Sequence, residues 1–282
     1  MCFGNAYLSI PNVFSKTGWL GGICLFLVIG LINIYTMIIQ IKIAEKHPKL
    51  HSYSEIGGKI FGKRGKLAVD IPIWISQISV CCGYLYFIAE QMDSVVCHYT
   101  GGSKTPEGVI TCDDADGCYC GKSNLYILML TLPALPVSWI ETYTVLSYFS
   151  TAGIFLAIAG MVCMFGILGD KVSQGEVVNT DLKTFDVLAF FGNIGVAIFV
   201  FEGNAVVINV HSEARHPDKF NKILASAIST ICTLFMVFAS FAYYVYRDET
   251  NPIFTLNFYP INGLITFILF CVCTNAFVSY PI

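Results

Sequence analysis

The sequence predicts an all-α polytopic membrane protein, and three observations carry that prediction. Hydrophobic residues fill 55% of the 282 positions and charged residues only 12%, with a mean hydropathy of +0.67, well beyond an ordinary soluble domain. Apolar runs of bilayer-crossing length, about 17–25 residues, recur along the chain. Two of them are interrupted by small and polar residues, at Gly4-Asn5-Ala6 and at Glu202-Gly203-Asn204. No Pro/Gly/Ser-rich tract, long charge run or large polar block divides the chain, so residues 1–282 read as a single transmembrane domain.

About eight helices are expected. The first is a partial helix over residues 3–14 that carries the first interruption. The second covers Gly21–Ala44, and Gly18 and Gly22 at its start form a small-xxx-small pair suited to close helix packing. The third covers Leu67–Val96. The fourth, Leu125–Ile140, is short and holds Pro133 and Pro136, so a kink is expected, tolerated where neighbours satisfy the freed carbonyls. The fifth covers Val145–Leu168, and the sixth, Phe185–Val210, contains the second interruption. The seventh covers Ile223–Tyr246, and the eighth runs from Ile261 to the end.

The interruptions matter because hydrocarbon cannot satisfy the N–H and C=O groups that a broken helix frees. Such breaks persist only where they face protein, water or a ligand. Broken helices at corresponding positions of two five-helix halves point to a solute site near the midplane. A solute carrier is the expectation.

Lys and Arg set the orientation. Lys42 and the stretch 45–66 hold seven basic residues, and 211–222 adds Arg215, Lys219 and Lys222. Both fall on one side of an alternating topology, and the positive-inside rule assigns that side to the cytosol. The 97–124 segment then lies on the far side, lumenal or extracellular, where disulfides persist. Cys97, Cys112, Cys118 and Cys120 cluster there and are disulfide candidates. A zinc site is the alternative, with His98 nearby, although no paired C-x-x-C is present. The other cysteines read as small apolar residues.

Three segments carry a family resemblance. GNAYLSIPNVF (4–14) is similar to the G-x-G-x-L-x-L-P-x-A-F first helix of the amino acid/auxin permease family, with Ala6 in place of the second glycine. YSEIGGKIFGKRGK (53–66) resembles the segment before its third helix, and FFGNIGVAIFVFEGNAVVINVHSEARHPDKF (190–220) its broken sixth helix. The closing TNAFVSYPI resembles the eighth. The likeness is greatest to the proton-assisted, vacuolar or lysosomal branch. It implies the leucine-transporter-type inverted repeat of the amino acid–polyamine–cation superfamily, with eleven helices in the complete family fold. On that comparison the first half of helix 1 and helices 9 to 11 are expected to be missing, the chain being a partial transporter domain.

An amino acid substrate presents a carboxylate and an ammonium. The backbone amides of Asn5, Ala6 and Tyr7, with Gly4 permitting the unwinding, are the candidate carboxylate site. The carbonyls of Phe201, Glu202 and Gly203, with the Asn204 side chain, are the candidate ammonium site. Glu202 is the acid placed near the centre of a span, where a charge costs roughly 2.5–3.5 kcal/mol. Protonation relieves most of that cost, so Glu202 is the candidate H⁺ carrier; bracing the unwound backbone is the other reading. Asp70 and Glu90, about 30 Å apart along one helix, read as interfacial acids.

The resulting expectation is a secondary active carrier of small neutral amino acids, an H⁺ symporter rather than a Na⁺ one, working by alternating access in a plasma, vacuolar or lysosomal membrane. An amino-acid-sensing receptor with little flux, or a non-functional transporter fragment, are the alternatives. The chain lacks a G-x-x-x-x-G-K-[ST] nucleotide loop, and no nucleic acid, metal or cofactor is implied. It also lacks a pair of acids at helix centres and a Gly-x-Ser-x-Gly turn, so no enzyme is expected.

Overall fold

The computed structural model describes residues 5–47, 52–104, 110–112, 119–138, 143–204, 206–212, 214 and 217–280. A 3-10 turn over Asn5–Ser9 leads into α1 (Ile10–Thr17), where Pro11 sits in the first turn and loses no helical bond. α2 (Trp19–Lys46) follows. α3 (Tyr53–Tyr99) is bent at Gly62, whose φ of 67° suits glycine. The chain turns back there: a Cβ on Gly65 would come within 2.5 Å of the Gly57 carbonyl oxygen. Two short antiparallel strands, β1 (Gly102–Lys104) and β2 (Ile110–Cys112), are the exception to a helical fold among the described residues.

α4 (Ser123–Ser138) contains both Pro133 and Pro136, and α5 (Tyr143–Gln174) follows. The expected sixth helix is divided into α6 (Val187–Gly192), α7 (Ile194–Val200) and α8 (Val207–Ser212). α9 (Pro217–Tyr246) and α10 (Gly263–Ser279) complete the bundle. α10 starts where the Asn262 side chain accepts from the Ile265 N–H at 2.9 Å, an N-cap.

Among the described residues four helices are long and apolar enough to cross a membrane, within Trp19–Lys46, Tyr53–Tyr99, Thr151–Gln174 and Lys219–Glu249. α4 and α10 are apolar but shorter. The flanks stay apolar and open, with Leu188 86% and Leu132 72% exposed, as lipid-facing surfaces are. The interior is aromatic: Phe238 meets Tyr7, Phe165 and Phe254 edge-on at 5.8, 5.5 and 5.4 Å between ring centroids.

α10 lies along α5, and small residues on α5 permit the approach. A Cβ on Gly153 would meet the Asn275 Oδ1 at 2.9 Å. The two ends of the bundle differ. At one, the His211 Nε2 closing α8 lies 3.7 Å from the Glu45 Oε1 near the end of α2, so the two basic stretches that follow those helices share an end. At the other, Asn12 donates to the Thr250 carbonyl at 2.6 Å and Lys183 pairs with Asp248 at 3.0 Å.

That second end is stapled. Cys97 and Cys120 form a disulfide. The Asp93 carboxylate accepts from the Gly121 and Lys122 backbone N–H groups at 3.2 and 2.9 Å. Glu90 accepts from the Ser123 hydroxyl at 3.0 Å. Four consecutive positions before and inside α4 are thus tied to the last three turns of α3. Cys118 and the side chain of Cys112 lie outside the described residues. With Cys97 and Cys120 joined, the zinc alternative loses two of its four thiolates.

Candidate functional site

The second break spans 201–206. α7 ends as the Phe201 and Glu202 N–H groups donate back to Ile198 and Phe199 at 3.1 and 3.2 Å. Gly203 then takes φ 154°, an angle that side chains rarely adopt. Space is not the constraint: a Cβ there would rest 3.4 Å from Met37. The Gly203 carbonyl accepts from the Val206 N–H at 3.3 Å, and α8 resumes.

Polar side chains from two neighbouring helices hold the freed groups. Asn33 of α2 donates through Nδ2 to the Phe201 carbonyl at 2.9 Å and accepts through Oδ1 from Asn204 at 2.7 Å. Thr36 reaches the Asn204 Oδ1 at 3.4 Å. On α3, the Ser76 hydroxyl donates to the Glu202 carboxylate. The Glu202 carboxylate therefore faces α3 while the adjacent backbone faces α2. Phe201 is sandwiched by α2, with Phe26 edge-on at 6.2 Å and Gly30 close enough that a Cβ would meet its ring at 3.5 Å.

The first break is built differently. Asn5 is buried at 6% exposure; its Nδ2 donates to the Val272 carbonyl at 2.7 Å and its Oδ1 accepts from Asn275 at 2.9 Å. Both partners lie on α10. Tyr7 is fully buried and stacks on Phe235 at 5.4 Å. Ala6 is partly buried in the same turn. Gly4 lies outside the described residues.

The 3-10 turn packs against α7 and α10, so the two breaks are neighbours through α7. One side-chain network is fixed on α10 and the other on α2 and α3. The Phe201 and Gly203 carbonyls, read from sequence as open acceptors, each already receive one hydrogen bond. A carbonyl carries two lone pairs, so each keeps a second.

Sequence reasoning missed Asn33, Thr36, Ser76 and Asn275. The signal available was a polar side chain inside an apolar run, such as Asn33 within Gly21–Ala44; such residues in lipid face the bundle interior. Asp93 and Gln91 were missed too. Both are buried, at 0% and 1% exposure, and Gln91 accepts from Thr255 at 3.0 Å.

Comparison with known proteins gives concordant results. The family described as "Transmembrane amino acid transporter protein" matches residues 2–282. The Arabidopsis thaliana amino acid transporter AVT3B is 28% identical over 99% of this chain and 66% of its own length. Amino acid transporter AVT3A of the same plant is 25% identical over 99% of the chain and 63% of its length. Amino acid transporter AVT1C is 29% identical over 90% of the chain and 43% of its length. The chain thus spans between two fifths and two thirds of these relatives.

Proposed function

The chain belongs to the transmembrane amino acid transporter family, an integral membrane family of carriers rather than enzymes, and from that premise we propose that it moves small neutral amino acids across a membrane together with H⁺. The observation that carries the reading is the break at 201–206. It exposes backbone acceptors inside an apolar segment and sets an acid, Glu202, between them. An α-ammonium needs such acceptors, and an uncharged side chain needs only the apolar walls that Phe26, Met37 and Phe201 supply.

Amides of the Asn5–Ser9 turn meet the carboxylate in this reading, and α7, which touches that turn, links the two half-sites. Glu202 takes up a proton from one side and loses it to the other as one bundle rocks against its neighbour around the site. Its partner Ser76 is uncharged, so neutralising Glu202 removes a charge that no cation among the described residues pairs with. H⁺ coupling in place of Na⁺ rests on that acid. The membrane is plasma, vacuolar or lysosomal, with the basic stretches 45–66 and 211–222 in the cytosol.

Uptake of labelled alanine, glycine and proline into proteoliposomes tests the reading. An imposed inward H⁺ gradient should drive accumulation above equilibrium, and a protonophore should abolish it. Equilibration without accumulation refutes coupling, and no entry of any of the three refutes a small-neutral-amino-acid carrier.

A further inference from the structure

One face of α2 reads the second break along its length. Phe26 and Gly30 hold the Phe201 ring, Asn33 takes the Phe201 carbonyl and the Asn204 amide, Thr36 meets the Asn204 oxygen, and Met37 lies over Gly203. Positions 26, 30, 33 and 37 recur at the spacing of a single helix face. α3 meets the same break through Ser76 on the Glu202 carboxylate, a contact whose strength depends on protonation. The α2 contacts are amide, hydroxyl and apolar groups that keep one protonation state.

We propose that Asn33 is a positioning residue of the substrate site, fixing the Phe201 carbonyl and the Asn204 side chain in the direction that receives a substrate ammonium. The proposal deepens the carrier reading and rests on it. An amide suits the task because it donates from one atom and accepts at the other, spanning two groups of the break at once. Ionised aspartate at this place could accept from Asn204 but not donate to Phe201; leucine could do neither. Asn33 is 7% exposed, so its bonds face little competition from water. With one lone pair of Phe201 occupied, the other is held in a set direction. Acceptors fixed in advance spare a ligand the cost of ordering them.

The test compares wild type, N33L, N33D and the pair N33L/N204L in lipid nanodiscs, using labelled L-alanine binding and backbone hydrogen exchange of residues 199–206. N33L and N33D should each weaken alanine binding about tenfold or more, and N33L with N204L should weaken it by less than the product of the single effects. Exchange in 199–206 should quicken while α9 keeps its protection. Should N33L fail to fold, T36V, which removes the hydroxyl that meets the Asn204 Oδ1 and the Asn33 carbonyl and leaves the Asn33 side chain in place, should still weaken alanine about two- to threefold. Unchanged alanine affinity in folded N33L or N33D overturns the proposal, even with faster exchange, since Asn33 would then only brace the backbone. Unchanged affinity in T36V overturns it where N33L and N33D cannot be made. Wild type that binds no alanine overturns the carrier reading as well, a result separate from a variant that binds as wild type does.

Discussion

Asn5 and Asn275, 270 positions apart, share a buried side-chain hydrogen bond of 2.9 Å. It fastens the first break to α10, and Asn5 completes the clasp by donating to the Val272 carbonyl. α10 can approach so closely because Gly153 of α5 leaves room for the Asn275 oxygen. Leucine at either asparagine would take this hydrogen bond from its partner in an apolar interior, a loss of about 1–3 kcal/mol. We expect N5L and N275L to lower the thermal midpoint of the detergent-solubilised protein, and the double variant to lose less than the two losses added. Additive losses would show that the pair does not act as a unit.

Asp93 and the Cys97–Cys120 disulfide both bind the end of α3 to the start of α4. Hydrogen bonds to a charged group contribute about 1.5–3 kcal/mol, and a disulfide typically about 2–4 kcal/mol. D93A should therefore destabilise strongly, D93N less, and C97S/C120S should match reduced wild type. Thermal unfolding with and without reductant measures all of these. A reduced wild type that melts unchanged would remove the disulfide from the stabilising set.

Hydropathy made the crossing segments legible because lipid selects on composition. Gly21–Ala44 became α2 with two residues more at each end, and the fourth segment moved by only two residues. What composition could not show was the first turns of α3. Tyr53–Lys66 is too polar to read as a crossing helix, yet Ser52 caps it through the Glu55 N–H at 3.3 Å and Gly62 bends it. The second break was legible from Glu202-Gly203-Asn204, because its chemistry is local. Its partners Asn33 and Ser76 were not, since they lie 168 and 126 positions away and only the packed fold brings them there.

The basic stretches at 45–66 and 211–222 should face the cytosol. A cysteine placed at Ser54, in a background stripped of other accessible thiols, should react with a membrane-impermeant maleimide applied from the cytosolic face of sealed vesicles. It should be silent when the reagent is applied to the opposite face. Labelling from the lumenal or extracellular face would invert the topology and put the Cys97–Cys120 disulfide in a reducing compartment, where such bonds do not last.

Glu202 separates coupling from bracing in one substitution. E202Q keeps the size of the side chain and its ability to accept from Ser76, but it can no longer exchange a proton. If the acid carries H⁺, accumulation of alanine driven by a pH gradient should fall by about tenfold or more. Exchange of internal for external alanine, which needs no net proton movement, should survive in part. S76A provides the control: it leaves the acid able to titrate and removes only its partner, so gradient-driven uptake should persist with a shifted pH profile. If Glu202 only braces the break, E202Q and S76A should reduce uptake and exchange together and modestly. Concentrative uptake by E202Q equal to wild type would leave Glu202 as a structural acid and require the proton to travel by another group.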